Sequence, residues 1–333
     1  MPKQHKSLIP VLSLFSGAGG LDYGFGQAGF ETVLAIDCDR AATATFNANF
    51  GGEVARTGDL SAVPPATVFK WLKDRNAEPR GIIGGPPCQG FSIGNTKASP
   101  DDPRNQLPFR YCEILETLND KFGIEFFVFE NVLGLRAPKH RSRLAEIIAR
   151  FEQAGFRVMQ GEVNAVRFGV PQNRRRLFLV GFNQSLHPNV EFVWPSGTDE
   201  ARTVRSAISG LPQPAYRMAG LRPEEIEHHP NHWTSPPCSA KFKSQDFGDG
   251  RSFRRLNWDE PSWTVAYGNR EIHIHPNGQR RLSVFEAMRL QSFPKKFVIT
   301  GNFCEQVTQV SNAVPPRVAR AVASAIRKQL FDA

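Results

Sequence analysis

The chain has 333 residues, of which 40% are hydrophobic, 22% charged and 11% aromatic, a composition that excludes a fibrous or disordered protein. The 41 Lys and Arg residues outnumber the 32 Asp and Glu residues, and the net charge of +9 favours a polyanionic partner such as nucleic acid. The five cysteines form no CxxC pair, and no run approaches the roughly 18 apolar residues of a membrane span. We therefore expect a cytoplasmic protein with neither a disulfide framework nor a membrane partner.

Apolar runs alternate with amphipathic stretches along the first half of the chain, a pattern typical of βα units that build a mostly parallel sheet. Buried strands are predicted at residues 11–15, 32–36, 82–83, 126–129 and 177–180. Apolar residues at helical spacing predict a helix over 141–154, with Gly155 in position for its C-terminal cap. A final helix is predicted from apolar residues that repeat every four positions, at Val318, Val322, Ile326 and Leu330.

The composition and periodicity of the sequence change after residue 182, where Pro, His, Trp and Arg become frequent and long periodic segments become rare. We therefore predict a small, irregular domain over 183–299. The larger domain is then formed by 1–182 together with 300–333.

Three further expectations concern the small domain. The alternation over 271–275 predicts a strand with Ile272 and Ile274 inward and the polar residues outward. Trp258 and Trp263 are expected in the core. No metal is expected, since no standard zinc spacing is matched by His228, His229, His232 and Cys238.

A glycine-rich turn follows the first predicted strand, within LFSGAGGLD at 14–22. Such a turn lets the backbone approach a ligand where side chains would clash. Asp37 ends the next strand, twenty residues beyond Gly17, where a carboxylate can accept hydrogen bonds from ribose hydroxyls. Asp22 replaces the third glycine of the dinucleotide fingerprint and no GK[ST] follows, so the turn indicates either a nucleoside-cofactor site or ordinary chain punctuation.

The second chemical signal is a thiol at the end of the strand at 82–83, in GGPPCQGFS. Nucleophiles of open α/β sheets occupy this position, and Cys88 would act as a thiolate whose pKa is lowered by nearby positive charge or backbone donors. The alternative is a small buried residue, which is the commoner role of cysteine. Two prolines directly before Cys88 weaken that alternative.

Two more polar groups adjoin predicted strands. Glu130 ends an aromatic strand, where its carboxylate could exchange a proton with a substrate ring nitrogen or remain a solvated turn residue. Arg174 and Arg176 alternate just before another strand and would point to one face, where they could clamp a carboxylate or a phosphate. A solvated run of charges is the alternative.

Taken in order, these motifs resemble those of the DNA cytosine-5 methyltransferases of bacterial restriction–modification type. The resemblance covers the whole chain except the middle of the small domain. It rests on LFSGAGGLD (14–22), PPCQGFS (86–92), DPRN (102–105), ENV (130–132), QNRRR (172–176), a stretch from RLS to FP (281–294) and QVSNAVPP (309–316). It implies an α/β fold, the Rossmann-like doubly wound sheet of S-adenosylmethionine-dependent methyltransferases, with a smaller, irregular target-recognition domain.

The resemblance implies S-adenosylmethionine as the cofactor. The family's cofactor-binding positions are matched by Phe15, Gly17, Gly19, Gly20, Leu21, Asp37, Asp59, Pro87, Asn312 and Val314. The family usually has Gly where this chain has Ser311. If that position needs a positive φ, Ser would strain the turn by about 1 kcal/mol and weaken cofactor binding.

The implied catalytic residues are Cys88, Glu130, Arg174 and Arg176. The Cys88 thiolate would add to C6 of cytosine, Glu130 would stabilise or protonate N3, and Arg174 would steady the base at O2. C5 would then take the methyl group, and loss of the C5 proton would expel Cys88 to leave 5-methylcytosine. Because C5 and C6 are stacked inside a duplex, the base must first be flipped out.

The resemblance implies double-stranded DNA as the partner. The sequence of the small domain resembles that of members with a short GC-rich target such as GGCC. Residues 136–176 carry ten Lys or Arg against three acids and 241–296 carry eleven against six, so both sides of the expected cleft are basic. The residues expected to contact DNA are Gln89, Ser92, Arg251, Arg254, Asn269 and Arg270.

A cognate restriction endonuclease would share the target without necessarily binding this chain, and asymmetric engagement of one base indicates a monomer. Two alternatives remain. The first is a tRNA cytosine-5 methyltransferase, although the CFT tripeptide of that branch is absent. The second is a catalytically silent DNA-binding relative, against which the intact Cys88 and Glu130 argue.

Overall fold

A computed structural model describes residues 7–87, 103–247, 253–265 and 273–332. Within these ranges the strands are β1 (Ile9–Leu14), β2 (Phe30–Asp37), β3 (Ala55–Thr57), β4 (Gly81–Gly84), β5 (Phe126–Val132), β6 (Phe156–Asn164), β7 (Gln172–Asn173), β8 (Arg175–Asn183), β9 (Ala215–Tyr216), β10 (Trp233–Thr234), β11 (Arg254–Arg255), β12 (Ser262–Trp263) and β13 (His273–Ile274). The α-helices are α1 (Gly20–Gln27), α2 (Arg40–Phe50), α3 (Pro65–Asp74), α4 (Leu107–Phe122), α5 (Arg141–Gln153), α6 (Val204–Ile208), α7 (Ala240–Ser244), α8 (Val284–Leu290), α9 (Phe303–Asn312) and α10 (Pro316–Leu330). Short 3-10 helices lie at Pro103–Gln106, Leu133–Arg136, Pro138–His140, Ala165–Phe168 and Pro223–Glu225. No helix in these ranges is long and apolar enough to cross a membrane.

The central sheet has the order β3-β2-β1-β4-β5-β8-β6. The strands from β3 to β5 run parallel, whereas β8 pairs antiparallel with both β5 and β6. The chain leaves β1 for β2 on one side and later enters β4 on the other, so the strand order reverses at the neighbouring carboxyl ends of β1 and β4. This arrangement confirms the predicted doubly wound α/β sheet and locates the crevice in which such sheets bind ligands.

The predicted elements are present, with bounds that differ by a few residues. Strand β1 ends at Leu14 rather than Phe15, because Phe15 leaves the extended conformation with a φ of +55°. Helix α5 is followed by Gly155 at a φ of +92°, as expected after a C-terminal cap. The sequence pattern does not predict β6, because this edge strand is mostly half-buried and exposed and has no continuous apolar run.

Both faces of the sheet are covered, which explains the near-continuous apolar runs of its strands. Successive side chains alternate between the faces. Leu12 and Phe127 enter one core beneath α3, α4 and α5, whereas Val11 and Phe126 enter a second core beneath α1 and α10. The predicted apolar stripe of α10 faces this second core, through Val318, Val322 and Ile326.

A third apolar cluster lies among α6, α8 and α9. It joins Val204 and Met288 to Ile299 and Phe303, and it reaches Ala18 in the glycine-rich turn. Between β8 and α8, the described residues form only short helices and two-residue strands, as expected for an irregular domain. The division of the chain into two domains stays a prediction.

Two expectations for the small domain are wrong, namely that the polar residues of 271–275 face outward and that Trp263 lies in the core. Ile274 is fully buried as predicted, whereas Ile272 lies outside the described residues. His273 in β13 is fully buried next to Ile274, and His275 is 7% exposed, so these polar residues do not face outward. Burial lowers the pKa of His273 to about 4, which leaves the ring neutral at pH 7. Trp263 is 43% exposed, whereas Trp258 packs against the third cluster as expected. Alternation predicts which residues share a face, but it does not predict which faces another element covers.

Candidate active site

The glycine-rich turn leaves β1 at the carboxyl edge of the sheet. Phe15, Gly17 and Gly19 have left-handed φ values of +55°, +53° and +85°, and for Phe this conformation is a strain of the kind found at functional sites. The backbone N–H groups of Gly17 and Asp39 donate to the two carboxylate oxygens of Asp37, at 2.8 and 2.9 Å. These bonds hold the turn against the end of β2. A Cβ on Gly17 would meet nothing within 4 Å, so the turn opens onto space.

The two acidic residues predicted at the cofactor site differ in environment. Burial raises the pKa of Asp37, and backbone hydrogen bonds oppose that rise. Each carboxylate oxygen accepts more than one hydrogen bond, so Asp37 can also accept from a ligand hydroxyl. Asp59 is exposed after β3, and hydrogen bonds from the hydroxyl and N–H of Ser61 lower its pKa. The Gly58 N–H donates to the Asp37 carbonyl at 2.8 Å, which keeps the two acids at one end of the sheet.

The late motif at 309–316 closes against the glycine-rich turn. A Cβ on Gly20 would lie 2.4 Å from the Val314 carbonyl oxygen, so only glycine fits there. Val314 and Leu21 pack in the second core, so the side chain of Leu21 points away from solvent. Asn312 is exposed at the end of α9. The structure therefore brings the first and last predicted cofactor motifs together.

Glu130 lies near the carboxyl end of β5, beside the loop that follows β4. The side-chain amide of Asn131 donates to the Pro86 carbonyl oxygen at 3.2 Å. A Cβ on Gly85 would lie 2.9 Å from Glu130 Oε2, so the carboxylate of Glu130 lies against the backbone of Gly85, where a side chain would crowd it. Pro87 is half-buried and is the last residue described before the predicted nucleophile.

Two guanidinium groups act on Glu130. Arg176 Nε lies 3.1 Å from Glu130 Oε1, and Arg174 acts on the same carboxylate at longer range. Burial raises the pKa of Glu130, although both arginines oppose the rise. Glu130 therefore holds a proton more readily than an exposed carboxyl group would. Arg175, between the two, pairs instead with Glu162, as the predicted alternation requires.

Arg174 joins the candidate catalytic residues to the late motif. It is 2% exposed and donates from Nη1 to the Ser311 carbonyl oxygen at 3.0 Å. Ser311 lies inside α9 and is not among the residues with positive φ, so the condition under which Ser would strain the turn is not met. Its hydroxyl donates to the Thr308 carbonyl oxygen at 3.1 Å, an ordinary helical contact. Sequence reasoning missed the link because 137 residues separate its two ends.

Gln172 is a site residue whose role the motif did not reveal. It is fully buried, and its Oε1 accepts a hydrogen bond from the Val265 N–H at 3.2 Å. Strand β7, which contains Gln172, pairs with β12, so a segment of the small domain is fixed immediately before Arg174. Gln172 thus positions the two parts of the site relative to each other.

Among the predicted DNA contacts, Arg254 falls in the described part of the chain. Its guanidinium carbon lies 5.2 Å from the ring centroid of Trp263, an exposed aromatic residue. The other predicted DNA contacts lie outside the described residues, namely Gln89, Ser92, Arg251, Asn269 and Arg270. The predicted nucleophile Cys88 also lies outside them.

The histidines of the small domain take part in packing. His232 contacts Ser283 Oγ at 3.0 Å and the Pro212 carbonyl oxygen at 2.8 Å. His229 stacks on Phe285 with 4.1 Å between ring centroids. Across the described ranges, no group of three or more His, Cys, Asp or Glu residues is arranged to hold a metal ion.

Comparison with known proteins connects this geometry to a family. The model of the C-5 cytosine-specific DNA methylase family matches residues 9–328. The type II methyltransferase M.MthTI of Methanothermobacter thermautotrophicus is 32% identical over 347 residues, which cover 97% of this chain and 98% of that protein. The type II methyltransferase M.FnuDI of Fusobacterium nucleatum is 31% identical over 351 residues, which cover 97% and 96%.

A solved structure agrees with these matches. It is described as a DNA modification methyltransferase encoded within an E. coli prophage, and it matches with a TM-score of 0.75 and 25% identity over 97% of this chain and 99% of that chain. The resemblance found from the motifs is confirmed, since the family match spans nearly the whole chain. The chain belongs to the C-5 cytosine-specific DNA methylase family and is a DNA (cytosine-5) methyltransferase.

Proposed function

We propose that the protein transfers a methyl group from S-adenosylmethionine to C5 of a flipped cytosine, as the modification enzyme of a restriction–modification system. The observation that carries the proposal is that the Gly17–Asp37 contact and the Glu130–Arg176 pair lie along one edge of one sheet, where the parallel strands β1, β2 and β5 end and the antiparallel strand β8 begins. A cofactor and a base could therefore meet in one crevice. The type II methyltransferases among the relatives support the restriction–modification role.

The turn at 14–22 fits a nucleoside cofactor. Space is open at Gly17, and the Asp37 carboxylate can accept hydrogen bonds from ribose hydroxyls. We assign the remaining cofactor contacts to Phe15, Gly19, Gly20, Leu21, Asp59, Pro87, Asn312 and Val314. When bound, S-adenosylmethionine supplies an electrophilic methyl group on a sulfonium centre.

The chain's own residues then act on the base. Cys88 adds its thiolate to C6, because a cysteine nucleophile suits a reversible covalent step. Glu130 holds a proton at N3, a role to which its raised pKa is suited. Arg174 steadies O2, and Arg176 compensates the charge of Glu130 when that carboxyl group is ionised. C5 then takes the methyl group, water accepts the C5 proton, and the C5–C6 double bond re-forms as the bond from C6 to sulfur breaks and Cys88 leaves as a thiolate.

The DNA must deliver an unstacked base to this crevice. Flipping costs a few kcal/mol, which phosphate and groove contacts offset. We assign base and groove contacts to Gln89, Ser92, Arg251, Arg254, Asn269 and Arg270, and we propose a GC-rich target such as GGCC. A monomer that shares its target with an endonuclease is the simplest assembly, and a cytoplasmic location stays a prediction.

The first test is transfer of labelled methyl groups from S-adenosylmethionine to unmethylated genomic DNA, with the modified positions read by sequencing. The wild type is expected to label one C5 position in a short fixed context. Cys88→Ser should abolish the label, and Glu130→Gln should lower kcat while DNA binding persists. Cys238→Ser, which changes an exposed cysteine outside the site, is the matched control and should keep full activity.

The alternatives give different outcomes. A catalytically silent relative would bind duplex DNA without transferring label, and it would form no covalent adduct with duplexes that contain 5-fluorocytosine. A tRNA enzyme would label tRNA and leave DNA unlabelled. Either result would overturn the proposed DNA modification.

A further inference from the structure

A second pocket, separate from the candidate active site, is lined by arginines from distant parts of the chain. It has a volume of about 230 Å³ and lies where α1, α6, the end of α8 and the start of α10 meet. Arg202, Arg289, Arg317 and Arg320 line it, and no Asp or Glu does so among the described residues. Among the described residues, the wall of this pocket therefore carries four positive charges and no negative charge.

The arginines are close enough to repel one another. Arg317 Nη1 and Arg202 Nε lie 2.9 and 3.7 Å from the point at which a Cβ on Gly169 would stand. Burial lowers the pKa of Arg317, and the charges of Arg202, Arg320 and Arg289 lower it further. Like charges at this range cost free energy, and an anion placed among them would remove that cost.

Two of the four side chains are held in place by backbone carbonyls. Arg289 Nη1 donates to the Phe293 carbonyl oxygen and Arg317 Nη1 to the Gly169 carbonyl oxygen, both at 2.7 Å. A guanidinium group carries five N–H donors, so each can orient on its carbonyl and still donate to a ligand. The Arg317 backbone N–H donates to the hydroxyl of Ser292, a residue with a left-handed φ of +65°. The wall of the pocket is thus preorganised.

Helix α10 strengthens the positive potential of this pocket. Pro316 and Arg317 belong to its first turn and line the pocket, so the positive end of a 15-residue helix dipole lies at the wall. The volume is below the roughly 300 to 1,000 Å³ of sites for drug-sized ligands, which indicates a small ligand.

We propose that this pocket binds a small phosphate-type anion, either a free one or a single backbone phosphate of DNA. Planar guanidinium forks match the oxygens of a phosphate group in pairs, which an ammonium group does not do. The inference is independent of methyl transfer, because binding can be read from stability alone.

The test is the change in Tm with added inorganic pyrophosphate at constant ionic strength. The wild type is expected to show a saturable rise in Tm, since a ligand that binds the folded state stabilises it. Arg202→Gln with Arg320→Gln should weaken the apparent pyrophosphate affinity about tenfold or more, because two charged donors are lost. Both side chains are exposed, so this double variant is expected to fold.

Two further variants keep the test decisive. Ser206→Glu places a carboxylate at the pocket wall and at the third position of α6, where Glu forms a capping box with Thr203, so the variant should fold and lose the saturable rise. Lys121→Gln with Arg150→Gln removes two exposed positive charges elsewhere and should respond like the wild type. A wild type without a saturable rise, or equal loss in both double variants, would overturn the proposal.

A second measurement distinguishes the source of the phosphate group. Duplex affinity is measured against salt concentration for the wild type and for the two double variants. If a DNA phosphate occupies the pocket, the pocket variant should lose about one unit of the slope of log K against log salt, and pyrophosphate should compete with DNA. If the ligand is a free anion, the slopes of the two double variants should agree and pyrophosphate should not compete.

Discussion

Position 20 has room only for glycine, because a Cβ there would lie 2.4 Å from the Val314 carbonyl oxygen. Gly17 and Gly19 are limited by their left-handed φ values, which favour glycine. At position 37 a carboxylate is required, because it accepts hydrogen bonds from two backbone N–H groups. The demands at Gly17 and Gly19 are local, so the motif at 14–22 could be recognised in the sequence, whereas the contact of Gly20 with Val314 depends on the tertiary structure.

Replacing Gly20 by Ala is expected to damage both stability and cofactor binding. The added methyl group forces the late motif away from the turn, which should cost about 1–3 kcal/mol of the free energy of unfolding and raise the KM for S-adenosylmethionine. Thermal unfolding and methyl-transfer kinetics measure the two effects.

Gly26 supplies the matched control for this prediction. It lies in the same helix, and a Cβ there would meet nothing within 4 Å. Gly26→Ala is expected to raise stability by about 0.5–1 kcal/mol and leave the KM unchanged, because alanine is the better helix residue. If both variants behave alike, the contact with Val314 is not what constrains Gly20.

At the scale of elements, α8 is fixed by a buried network at its N-terminus. Ser283 and Glu286 form a capping box, and Arg280 donates two hydrogen bonds of 2.8 Å to the Glu286 carboxylate. Burial opposes the charge of Glu286, but the Arg280 guanidinium, the Ser283 N–H and the charge of His275 together hold the pKa of Glu286 below its usual range. Because α8 belongs to the third cluster, this network sets the position of the helix beside α9.

Glu286→Gln is expected to destabilise the protein by about 3–5 kcal/mol, because it leaves the Arg280 charge buried without its partner. Since the folded pKa of Glu286 is lowered, its contribution is present above the unfolded pKa of about 4.3 and is lost as pH falls through the folded pKa. Denaturant unfolding at several pH values measures both effects.

The exposed pair of Arg222 and Glu225 is the control, because there too a Glu side chain pairs with an arginine and accepts a hydrogen bond from the backbone N–H three residues before it. Glu225→Gln is expected to change the Tm little, since exposed ion pairs contribute little. A small effect of Glu286→Gln, comparable with that of Glu225→Gln, would contradict the structural role of the buried pair.

At the scale of the whole molecule, burial of histidines links folding to pH. Burial lowers the pKa values of His229 and His273 from 6.5 to about 4 in each case. The unfolded chain therefore takes up protons between pH 6.5 and 4 that the folded chain does not. The folded state should be fully stable with respect to these groups above pH 6.5 and lose stability as pH falls through this window.

His273 is fully buried and offers the clearest measurement of this effect. His273→Phe should reduce the slope of the unfolding free energy against pH by about 1.4 kcal/mol per unit between pH 6.5 and 4. His228→Phe changes an exposed ring and should leave the slope near that of the wild type. An unchanged slope for His273→Phe would show that His273 takes up its proton equally in both states.

Much of the site could be predicted from the sequence because its residues lie at the ends of parallel strands of one sheet. Asp37 ends β2 and Glu130 lies near the end of β5, and the carboxyl ends of parallel strands share one edge. Burial in the small domain could not be predicted in the same way. His273 is buried and Trp263 is exposed, and neither the alternation around His273 nor the aromatic character of Trp263 indicates which residue another element covers.

The sequence by itself determined the family, the doubly wound sheet and the residue types at the strand ends, because these depend on local periodicity, turn chemistry and short motifs. The tertiary structure decided which distant residues touch. Arg174 meets Ser311 across 137 residues, and Gln172 meets Val265 across 93. The four arginines of the second pocket are likewise unremarkable in the sequence and come together only where the segment before α6, the end of α8 and the start of α10 meet. Such contacts depend on how whole elements pack, and no local pattern of residues records that packing.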